Sequence, residues 1–313
     1  MFDIFQNTTR PKQELFFKKN DPNDVRLGEI ISSSVENYEK SEIVVLGCPL
    51  DEGVARNKGR IGAAFAPDEI RAQFYKLSNF GVSAEIFDLG DTIIQKSLEE
   101  THDLLTEIVE RVLRDGKRLT ILGGGNDISY ANGGAMAKVF GNENWSAFNI
   151  DAHLDVRADI PRNSGTPYRQ LLEEKFILPA NLYEIGYQSQ ANSPIYFDYL
   201  KNLGVTTISL EEFQGNVSLE KIICSLPTID CSLFWGFDVD SVRAADAPGV
   251  SALSPIGLTA QEFIDLAGFA GSLKETKIIE FTEVNPNFDI DNRTAKLIAI
   301  AMHKFLQNIK QKG

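Results

Sequence analysis

Two short acidic motifs are the parts of this sequence best suited to chemistry. Each follows an apolar run, and together they supply Asp151, His153, Asp155, Asp238 and Asp240. Residues two apart in an extended chain share a face, so each motif can aim its side chains at one point. Carboxylates in this number repel one another unless cations neutralise them. Oxygen-rich ligands with one imidazole favour Mn²⁺ or Mg²⁺, and a pair of such ions activates water, so the motifs predict metal-assisted hydrolysis.

A glycine-rich loop follows a third apolar run. Its three glycines, Gly123 to Gly125, allow the backbone to approach a site closely, and Asn126 and Asp127 come next. The loop lacks both the Lys-Ser/Thr of a Walker loop and the glycine spacing of a dinucleotide-binding loop. We therefore expect no nucleotide site here. Asn126 either contributes to the acidic site or closes the loop through a side-chain hydrogen bond.

Eight short apolar runs predict the strands that position these motifs. In chain order they cover residues 42–46, 84–88, 118–122, 147–150, 182–185, 206–210, 232–237 and 277–284. Helical patterns lie between several runs, including an amphipathic stretch at 101–117 that ends near Gly116 and a last helix from about Thr294. This alternation indicates parallel βαβ units. An open doubly wound sheet and an eight-stranded barrel both satisfy it, and both place sites beyond the carboxyl ends of the strands.

Composition excludes several classes of protein. The chain has 313 residues with 31 Lys+Arg against 44 Asp+Glu, a net charge of −13, which argues against nucleic-acid binding. We find no linker-like segment and expect one domain over residues 1–313. Three cysteines, Cys48, Cys224 and Cys231, are too few for a disulfide framework. With no signal-like or membrane-spanning apolar stretch, we expect a cytoplasmic protein with no membrane partner.

The sequence resembles the ureohydrolase superfamily, which contains arginase, agmatinase and formimidoylglutamase. The resemblance is carried by GCPLDEGVARNKGRIGAAFAPDEIR at 47–71, GGGND at 123–127, DAHLD at 151–155, FDVDSVRAADAPGVS at 237–251 and EVNP at 283–286. It implies an arginase-like three-layer α/β/α sandwich around an eight-stranded, mostly parallel sheet, which excludes the barrel. It also implies a centre of two Mn²⁺ ions, whose ligands include Asp151, His153, Asp155, Asp238 and Asp240.

One position departs from the superfamily pattern. The glycine loop of the superfamily normally carries a histidine ligand of the first metal, and this sequence has Asn126 there. An amide carbonyl can bind a hard cation, but it is neutral and less basic than imidazole. By resemblance, we expect Asn126 to be a weak metal ligand and the first site to be weak or empty. The second site keeps all of its ligands: Asp151, His153, Asp238 and Asp240.

The resemblance also implies a substrate. The Ser-Gly-Thr-Pro-aromatic pattern from Ser164 to Tyr168 resembles the formimidoylglutamase branch, and Arg157 matches a position that contacts the substrate carboxylate in arginases. We expect Arg157, Ser164 and Tyr168 to bind the substrate. Asp155 would relay a proton to the leaving amine, and the Glu283 carboxylate would pair with the planar amidinium group of the substrate. The expected reaction is hydrolysis of N-formimidoyl-L-glutamate to L-glutamate and formamide.

Other readings stay open at this level. A noncatalytic or single-metal arginase-like protein, or a hydrolase of another guanidino compound, would carry most of the same motifs. Ureohydrolases commonly form oligomers, so the resemblance implies a homo-oligomer. It also implies that the binding partner of the site is a small amidine substrate. An acidic substrate also needs a locally positive cavity mouth. The candidates for it are Arg60, Arg157, Arg162 and Arg169.

Overall fold

One sheet of nine strands runs through the part of the chain that the structure describes. The structure is a computed structural model that describes residues 2–215 and 231–309, and Cys224 lies outside them. The strands are β1 (Thr8–Thr9), β2 (Ile43–Gly47), β3 (Ile86–Thr92), β4 (Arg118–Leu122), β5 (Trp145–Ile150), β6 (Leu182–Tyr187), β7 (Thr206–Ser209), β8 (Ser232–Asp238) and β9 (Thr276–Thr282). Their order across the sheet is β1-β3-β2-β4-β9-β8-β5-β6-β7.

The eight predicted apolar runs correspond to β2 through β9, and these strands are parallel. The predicted count of eight is one short, because β1 adds an antiparallel strand beside β3, with Thr8 opposite Thr92 and Thr9 opposite Asp91. A two-residue strand is too short to show an apolar pattern, so only the pairing in space reveals it. β1 shortens the exposed edge of the sheet.

Helices cover both faces of the sheet, which confirms the three-layer sandwich and excludes the barrel. None of the described helices is long and apolar enough to span a bilayer. They are α1 (Leu27–Ile30), α2 (Glu52–Arg56), α3 (Ala66–Phe74), α4 (Leu98–Arg114), α5 (Ile128–Phe140), α6 (Pro167–Glu173), α7 (Pro194–Leu203), α8 (Leu210–Gln214), α9 (Ala260–Ser272) and α10 (Arg293–Asn308).

The alternation of side chains along each strand divides the core in two. On β2, Ile43 and Val45 pack into a cluster with α3, α9 and α10. Val44 and Leu46 point to the opposite face and pack with α4, α5 and α6. Residues of a strand point alternately to the two faces, so a strand buried on both sides reads as a continuous apolar run. The core therefore lies on both sides of the sheet.

Local signals set the ends of α4, the amphipathic helix predicted at 101–117. The Ser97 side chain accepts a hydrogen bond from the backbone N–H of Glu100, which caps the first turn. At the other end, Gly116 has a φ of 76°, and its N–H donates to the carbonyl of Leu113. Glycine adopts this left-handed conformation without steric cost. The predicted C-terminal glycine of this helix is confirmed.

A fully buried arginine joins α3 to β3. Arg71 donates from Nε and Nη2 to the two carboxylate oxygens of Asp88, at 2.8 and 3.1 Å, and from Nη1 to Asp91 at 2.6 Å. The Tyr75 hydroxyl donates a short hydrogen bond to the Asp88 carboxylate. Both Arg71 and Asp88 are 0% exposed, so each charge needs the other to offset its lost hydration. The pair holds α3, which begins inside the 47–71 motif, against the sheet.

The sheet order brings together the strands that carry the motifs. β4, β9, β8 and β5 are consecutive neighbours and run in the same direction. Their carboxyl ends lead to the glycine loop, Glu283, Asp238 and Asp151, respectively. In parallel α/β sheets, ligands bind in the crevice beyond these ends. The topology therefore gathers segments that are distant in sequence at one edge of the sheet.

Candidate metal centre and substrate cavity

The two acidic motifs meet beyond the ends of β5 and β8. Potential ligand atoms lie within 4.8 Å of one another in two groups: Asp151, His153 and Asp240 form one, and Asp151, Asp155 and Asp238 form the other. Asp151 belongs to both groups. The convergence predicted from the spacing of the motifs is therefore present, and it yields two adjacent sets of candidate ligands that share one carboxylate.

Backbone hydrogen bonds hold these carboxylates in place. Asp151 Oδ1 accepts from the N–H of His153 at 2.7 Å, and Asp238 Oδ1 accepts from the N–H of Asp240 at 2.9 Å. Each motif thus begins with the same hydrogen bond, from the backbone N–H two residues on to the side chain of the first aspartate. Asp155 has a positive φ of 42°, a backbone conformation that costs a non-glycine residue on the order of 1–3 kcal/mol. Such strain persists where the surrounding structure over-determines it, as it does in functional sites.

Burial and mutual repulsion control ionisation in these groups. Burial raises the pKa of Asp151 to about 6, and the charge of Asp240 adds to the rise. The pKa values of Asp155 and Asp238 also lie well above the usual range, first because the side chains are buried and then because other carboxylates are near. Asp240 and Asp151 together raise the pKa of His153 to about 12. The buried carboxylates therefore stabilise a positive charge placed between them, whether a protonated imidazole or a cation.

The donor set suits a hard divalent cation. Asp240 Oδ1 is buried and has no hydrogen-bond partner within the described residues. The His153 ring contributes Nδ1, which lies 3.1 Å from Asp240 Oδ2 and 3.4 Å from Asp151 Oδ1. Carboxylate oxygens with one imidazole nitrogen match Mn²⁺ or Mg²⁺ better than a soft metal. A bound cation would compete with the proton on His153, so loading would release that proton.

Asn126 lies beside these groups, but it does not present its oxygen to them. Its Nδ2 donates to Asp155 Oδ2 at 2.7 Å and lies 3.5 Å from Asp151 Oδ2. Its Oδ1 accepts from the hydroxyls of Ser129 at 2.9 Å and Thr282 at 3.1 Å. The amide donor satisfies the carboxylates and two hydroxyls hold its oxygen away, so these contacts do not present the carbonyl as a ligand, and metal binding by Asn126 stays a prediction. The loop-closing role of Asn126 is the one the contacts support.

Glu283 follows β9 and reaches the same cavity. Its N–H donates to the carbonyl of Gly124 at 2.8 Å, and its Oε1 accepts from the N–H of Asn126 at 2.8 Å. These bonds fix the residue at a φ of 65° and tie the EVNP segment to the glycine loop. Burial raises the pKa of Glu283 to about 8. The side chain lines the cavity that the aspartates also line, as a substrate-facing carboxylate must.

A cavity of about 540 Å³ opens over the aspartates, and cations line it beside the acids. The lysine and arginine residues of the lining are Lys58, Arg60 and Arg157. Arg60 is engaged by the carbonyls of Val250 and Ser251, and its guanidinium lies 4.2 Å from the Phe288 ring. Within the described residues, the side chains of Lys58 and Arg157 form no hydrogen bond or ion pair, so both can receive an anionic group.

The other predicted substrate residues divide into two sets. Ser164 lines the cavity, and its Oγ accepts from Asn57 Nδ2 at 3.0 Å. Tyr168 does not line it: the side chain is 0% exposed, and its hydroxyl lies over Gly236 in the interior. α6 begins at Pro167, and its first turn directs Tyr168 into the core. The predicted substrate contact of Tyr168 is therefore wrong.

Two of the four arginines proposed for the cavity mouth lie elsewhere. Arg162 stacks over the Tyr130 ring at 4.3 Å, and Arg169 stacks over the Tyr199 ring at 4.2 Å and pairs with Glu173. Neither lines the cavity. An aromatic face attracts a guanidinium, so these side chains are held by their neighbours. Only Arg60 and Arg157 of the four reach the predicted position.

The sequence around this cavity matches a known family: the Arginase family profile covers residues 41–307. This chain belongs to the arginase family. Among its relatives, formimidoylglutamase of Staphylococcus aureus (strain bovine RF122 / ET3-1) is 32% identical over 282 residues, which are 89% of this chain and 90% of that protein.

Solved structures of the arginase family share the fold. Formiminoglutamase of Trypanosoma cruzi with Mn²⁺ superposes with a TM-score of 0.84 at 31% identity, covering 91% of this chain and 98% of that one. Formimidoylglutamase of Bacillus subtilis superposes with a TM-score of 0.85 at 26% identity, covering 93% of this chain and 94% of that one. The three-layer architecture that the sequence predicts is therefore that of the arginase family.

Several side chains reach the cavity that sequence reasoning missed: Asn57, Lys58, Asn192 and Tyr196. Asn57 and Lys58 lie inside the 47–71 segment that resembles the family, and their position in that motif was the available signal. Asn192 shapes the first acidic motif, because its Oδ1 accepts from the N–H of Leu154 and its Nδ2 donates to the carbonyl of Ala152, both at 2.9 Å. Nothing local in the sequence marks Asn192 or Tyr196.

Proposed function

We propose that this arginase-family chain hydrolyses the amidine C–N bond of N-formimidoyl-L-glutamate and releases L-glutamate and formamide. The observation that carries the proposal is one cavity that combines the shared aspartate groups with two uncommitted cations, Lys58 and Arg157. The substrate has a cationic amidine and two carboxylates, and this lining complements both ends. Relatives named formimidoylglutamase, at 30–32% identity over about nine-tenths of the chain, support the same substrate.

Mn²⁺ is the proposed cofactor, in two ions held by the shared aspartate groups. The Trypanosoma cruzi relative was solved with Mn²⁺, and the donor set here fits that ion. Asp151, His153, Asp155, Asp238 and Asp240 would hold the two ions. When bound, Mn²⁺ would supply Lewis-acid activation of water and of the amidine. The position facing Asn126 would hold its ion less tightly, because no nitrogen or oxygen lone pair of Asn126 faces the carboxylates.

The chain's own residues would orient the substrate and move the proton. The carboxylate of Glu283 would pair with the planar amidinium, and Lys58 and Arg157 would hold the two carboxylates through charge-assisted hydrogen bonds. Asp155, which belongs to one ligand group and also lines the cavity, would accept the proton of the attacking water and return it to the leaving nitrogen. Ser164 lies within the same lining and would contact the substrate chain.

A substrate panel tests this proposal. We expect purified protein with added Mn²⁺ to hydrolyse N-formimidoyl-L-glutamate faster than agmatine, arginine or guanidinobutyrate. Each charge-assisted hydrogen bond contributes about 1.5–3 kcal/mol, so kcat/KM for agmatine, which has no carboxylate, should be lower by at least ~10- to 100-fold. Product formation measured for each compound decides the matter. Turnover of arginine alone would contradict the substrate, and a protein that neither binds nor is stabilised by Mn²⁺ would favour the noncatalytic alternative.

The Asn126→His variant is expected to bind the first Mn²⁺ more tightly and to hydrolyse faster at limiting Mn²⁺. An imidazole would replace the amide donor, which lies 2.7 Å from Asp155 Oδ2, with a nitrogen ligand. We expect the Kd of that ion to fall about tenfold, or 1.4 kcal/mol. Asn126→Leu serves as the control, because it removes the amide and supplies no ligand. Titration of Mn²⁺ into the metal-free variants measures the effect, and unchanged affinity in Asn126→His would place residue 126 outside the ligand set.

Other expectations belong to the same proposal. We propose that residues 1–313 act as one domain, since the nine described strands share one sheet. We also propose a cytoplasmic homo-oligomer that acts in histidine degradation. Three cysteines in the whole sequence are too few for a disulfide framework, which is compatible with a reducing compartment. Size-exclusion chromatography with light scattering tests the assembly.

A further inference from the structure

A row of polar residues crosses the buried sheet beneath the candidate metal centre. Glu184 on β6 pairs in register with Asn149 on β5, Asn149 with Gly236 on β8, and Gly236 with Glu280 on β9. The two glutamates and Asn149 are 0% exposed. Residues opposite one another in a sheet share a face, so this row lies on one side. Buried acidic side chains are rare unless they are paired or have a function. The proposed reaction assigns no direct role to Glu184 or Glu280.

Asn149 connects this row to the metal centre. Its Nδ2 donates to Glu184 Oε2 at 2.8 Å and to Asp151 Oδ2 at 3.3 Å. The amide carries two hydrogens, so it can make both bonds at once. The backbone reinforces the link, because the N–H of Asp151 donates to the carbonyl of Ile185, next to Glu184, at 3.0 Å. β6 carries no proposed ligand, yet it binds the backbone of Asp151 directly and its side chain through Asn149 of β5.

Asp151 is the carboxylate that the two ligand groups share. Its Oδ1 is fixed by the N–H of His153, and its Oδ2 receives the Asn149 amide. Rotation of this one side chain would disturb both groups together, whereas movement of Asp155 or Asp240 would disturb one. Partners that orient a metal ligand typically contribute 10- to 100-fold in metal affinity. Although Asn149 does not line the cavity, we therefore expect it to affect the affinity for both metal ions.

We propose that Glu184 and Asn149 are positioning residues that hold Asp151 in the orientation that serves both metal positions. Glu184 accepts from the Asn149 amide and fixes its rotamer, and Asn149 then fixes Asp151 Oδ2. Removing either residue loosens both ions at once. The inference rests on the proposed Mn²⁺-dependent function, and it assigns part of the site to a strand that supplies no ligand.

The protein contains a matched control in the same layer. Asn132 on α5 is also a 0% exposed asparagine, and its Nδ2 donates to a buried glutamate, Glu280. It makes no hydrogen bond to the aspartates of either ligand group within the described residues. Asn149→Leu and Asn132→Leu therefore each remove one amide–glutamate bond, and only the first also releases a carboxylate of the proposed metal centre. Glu280 keeps the Ser129 hydroxyl as a second donor. A general cost to the fold should appear in both variants.

The experiment compares Mn²⁺ binding with the stability of the metal-free proteins. We expect Asn149→Leu and Glu184→Leu to raise the Kd of both Mn²⁺ ions by about 10- to 100-fold. Glu184→Gln should retain near wild-type affinity, because its amide oxygen can still accept from Asn149. Asn132→Leu should lower the unfolding temperature of the metal-free protein and leave both Kd values unchanged. Calorimetric titration with MnCl₂ and thermal unfolding in the presence of a chelator provide the two readouts.

The outcomes separate this inference from the proposed function. Wild-type affinity in Asn149→Leu, with a loss of stability like that of Asn132→Leu, would show that the row is structural and overturn the inference. Loss of affinity for one ion only would also overturn it, because Asp151 serves both groups. If Asn149→Leu fails to fold, the comparison of Glu184→Leu with Glu184→Gln decides by the same criteria. A wild-type protein that binds no Mn²⁺ would instead refute the proposed function.

Discussion

Asp238→Asn is expected to lower hydrolysis of N-formimidoyl-L-glutamate by at least ~1,000-fold, equivalent to about 4 kcal/mol of transition-state stabilisation. The substitution removes one carboxylate from the group of Asp151, Asp155 and Asp238, and a divalent ion there contributes several kcal/mol. Asparagine keeps the carbonyl oxygen that accepts from the N–H of Asp240 at 2.9 Å, so the turn after β8 stays capped. Steady-state kinetics at saturating Mn²⁺ and metal analysis measure the effect.

The same variant should lose stabilisation by Mn²⁺ without losing the fold. Burial, and then the charges of Asp240 and Asp151, raise the pKa of Asp238 well above its usual range. A pKa raised by folding means that ionisation at neutral pH destabilises the native state, and a neutral amide removes that penalty. We therefore expect the metal-free variant to unfold at no lower temperature than the wild type. Added Mn²⁺ should raise the unfolding temperature of the wild type more than that of the variant.

A surface substitution provides the control for Asp238→Asn. Asp265 lies on the exposed side of α9, where it accepts a hydrogen bond from Gln261, and Asp265→Asn removes the same charge. It should leave kinetics and Mn²⁺ binding unchanged. Full activity and full Mn²⁺ stoichiometry in Asp238→Asn would remove Asp238 from the ligand set and leave the second predicted site incomplete.

Arg71→Leu is expected to lower the free energy of unfolding by about 3–5 kcal/mol, the usual effect of breaking a buried ion pair. The variant leaves Asp88, which is 0% exposed, without the guanidinium that now donates to both of its oxygens. The Tyr75 hydroxyl would remain as a neutral donor. Urea denaturation of the metal-free protein measures the change and avoids any contribution from bound Mn²⁺.

Two further variants test the cause of that loss. Arg71→Leu combined with Asp88→Leu should recover part of the lost free energy, because replacing a whole buried pair is far less costly than isolating one charge. Arg114→Leu breaks an exposed pair with Glu110 on α4 and should change stability by less than ~1 kcal/mol. A loss in Arg71→Leu as small as that in Arg114→Leu would show that the buried cluster does not anchor α3.

Much of the fold follows from local patterns. Apolar runs bounded by turn residues identify β2 through β9, and the 3.6-residue stripe ending at Gly116 predicts α4, which in the structure starts at Leu98 rather than at 101. β1 escapes this reasoning because two residues have no periodicity. The buried polar row could not be predicted for another reason. Asn149 and Glu184 interrupt apolar runs, and the sequence alone does not show whether such a polar residue merely fits in the strand or has a function. Their pairing across β5 and β6 answers that question.

By itself, the sequence determined the α/β class, the arginase-family resemblance and the two aspartate motifs proposed to bind metal, because strand-end motifs with a spacing of two are local features. Only the tertiary structure decided which distant segments meet. It placed β8 beside β5, directed Tyr168 into the core, brought Lys58 to the cavity and turned the Asn126 amide toward Asp155. The physical reason is that strand order and side-chain orientation depend on packing and hydrogen bonds between residues far apart in the chain, which no local pattern encodes.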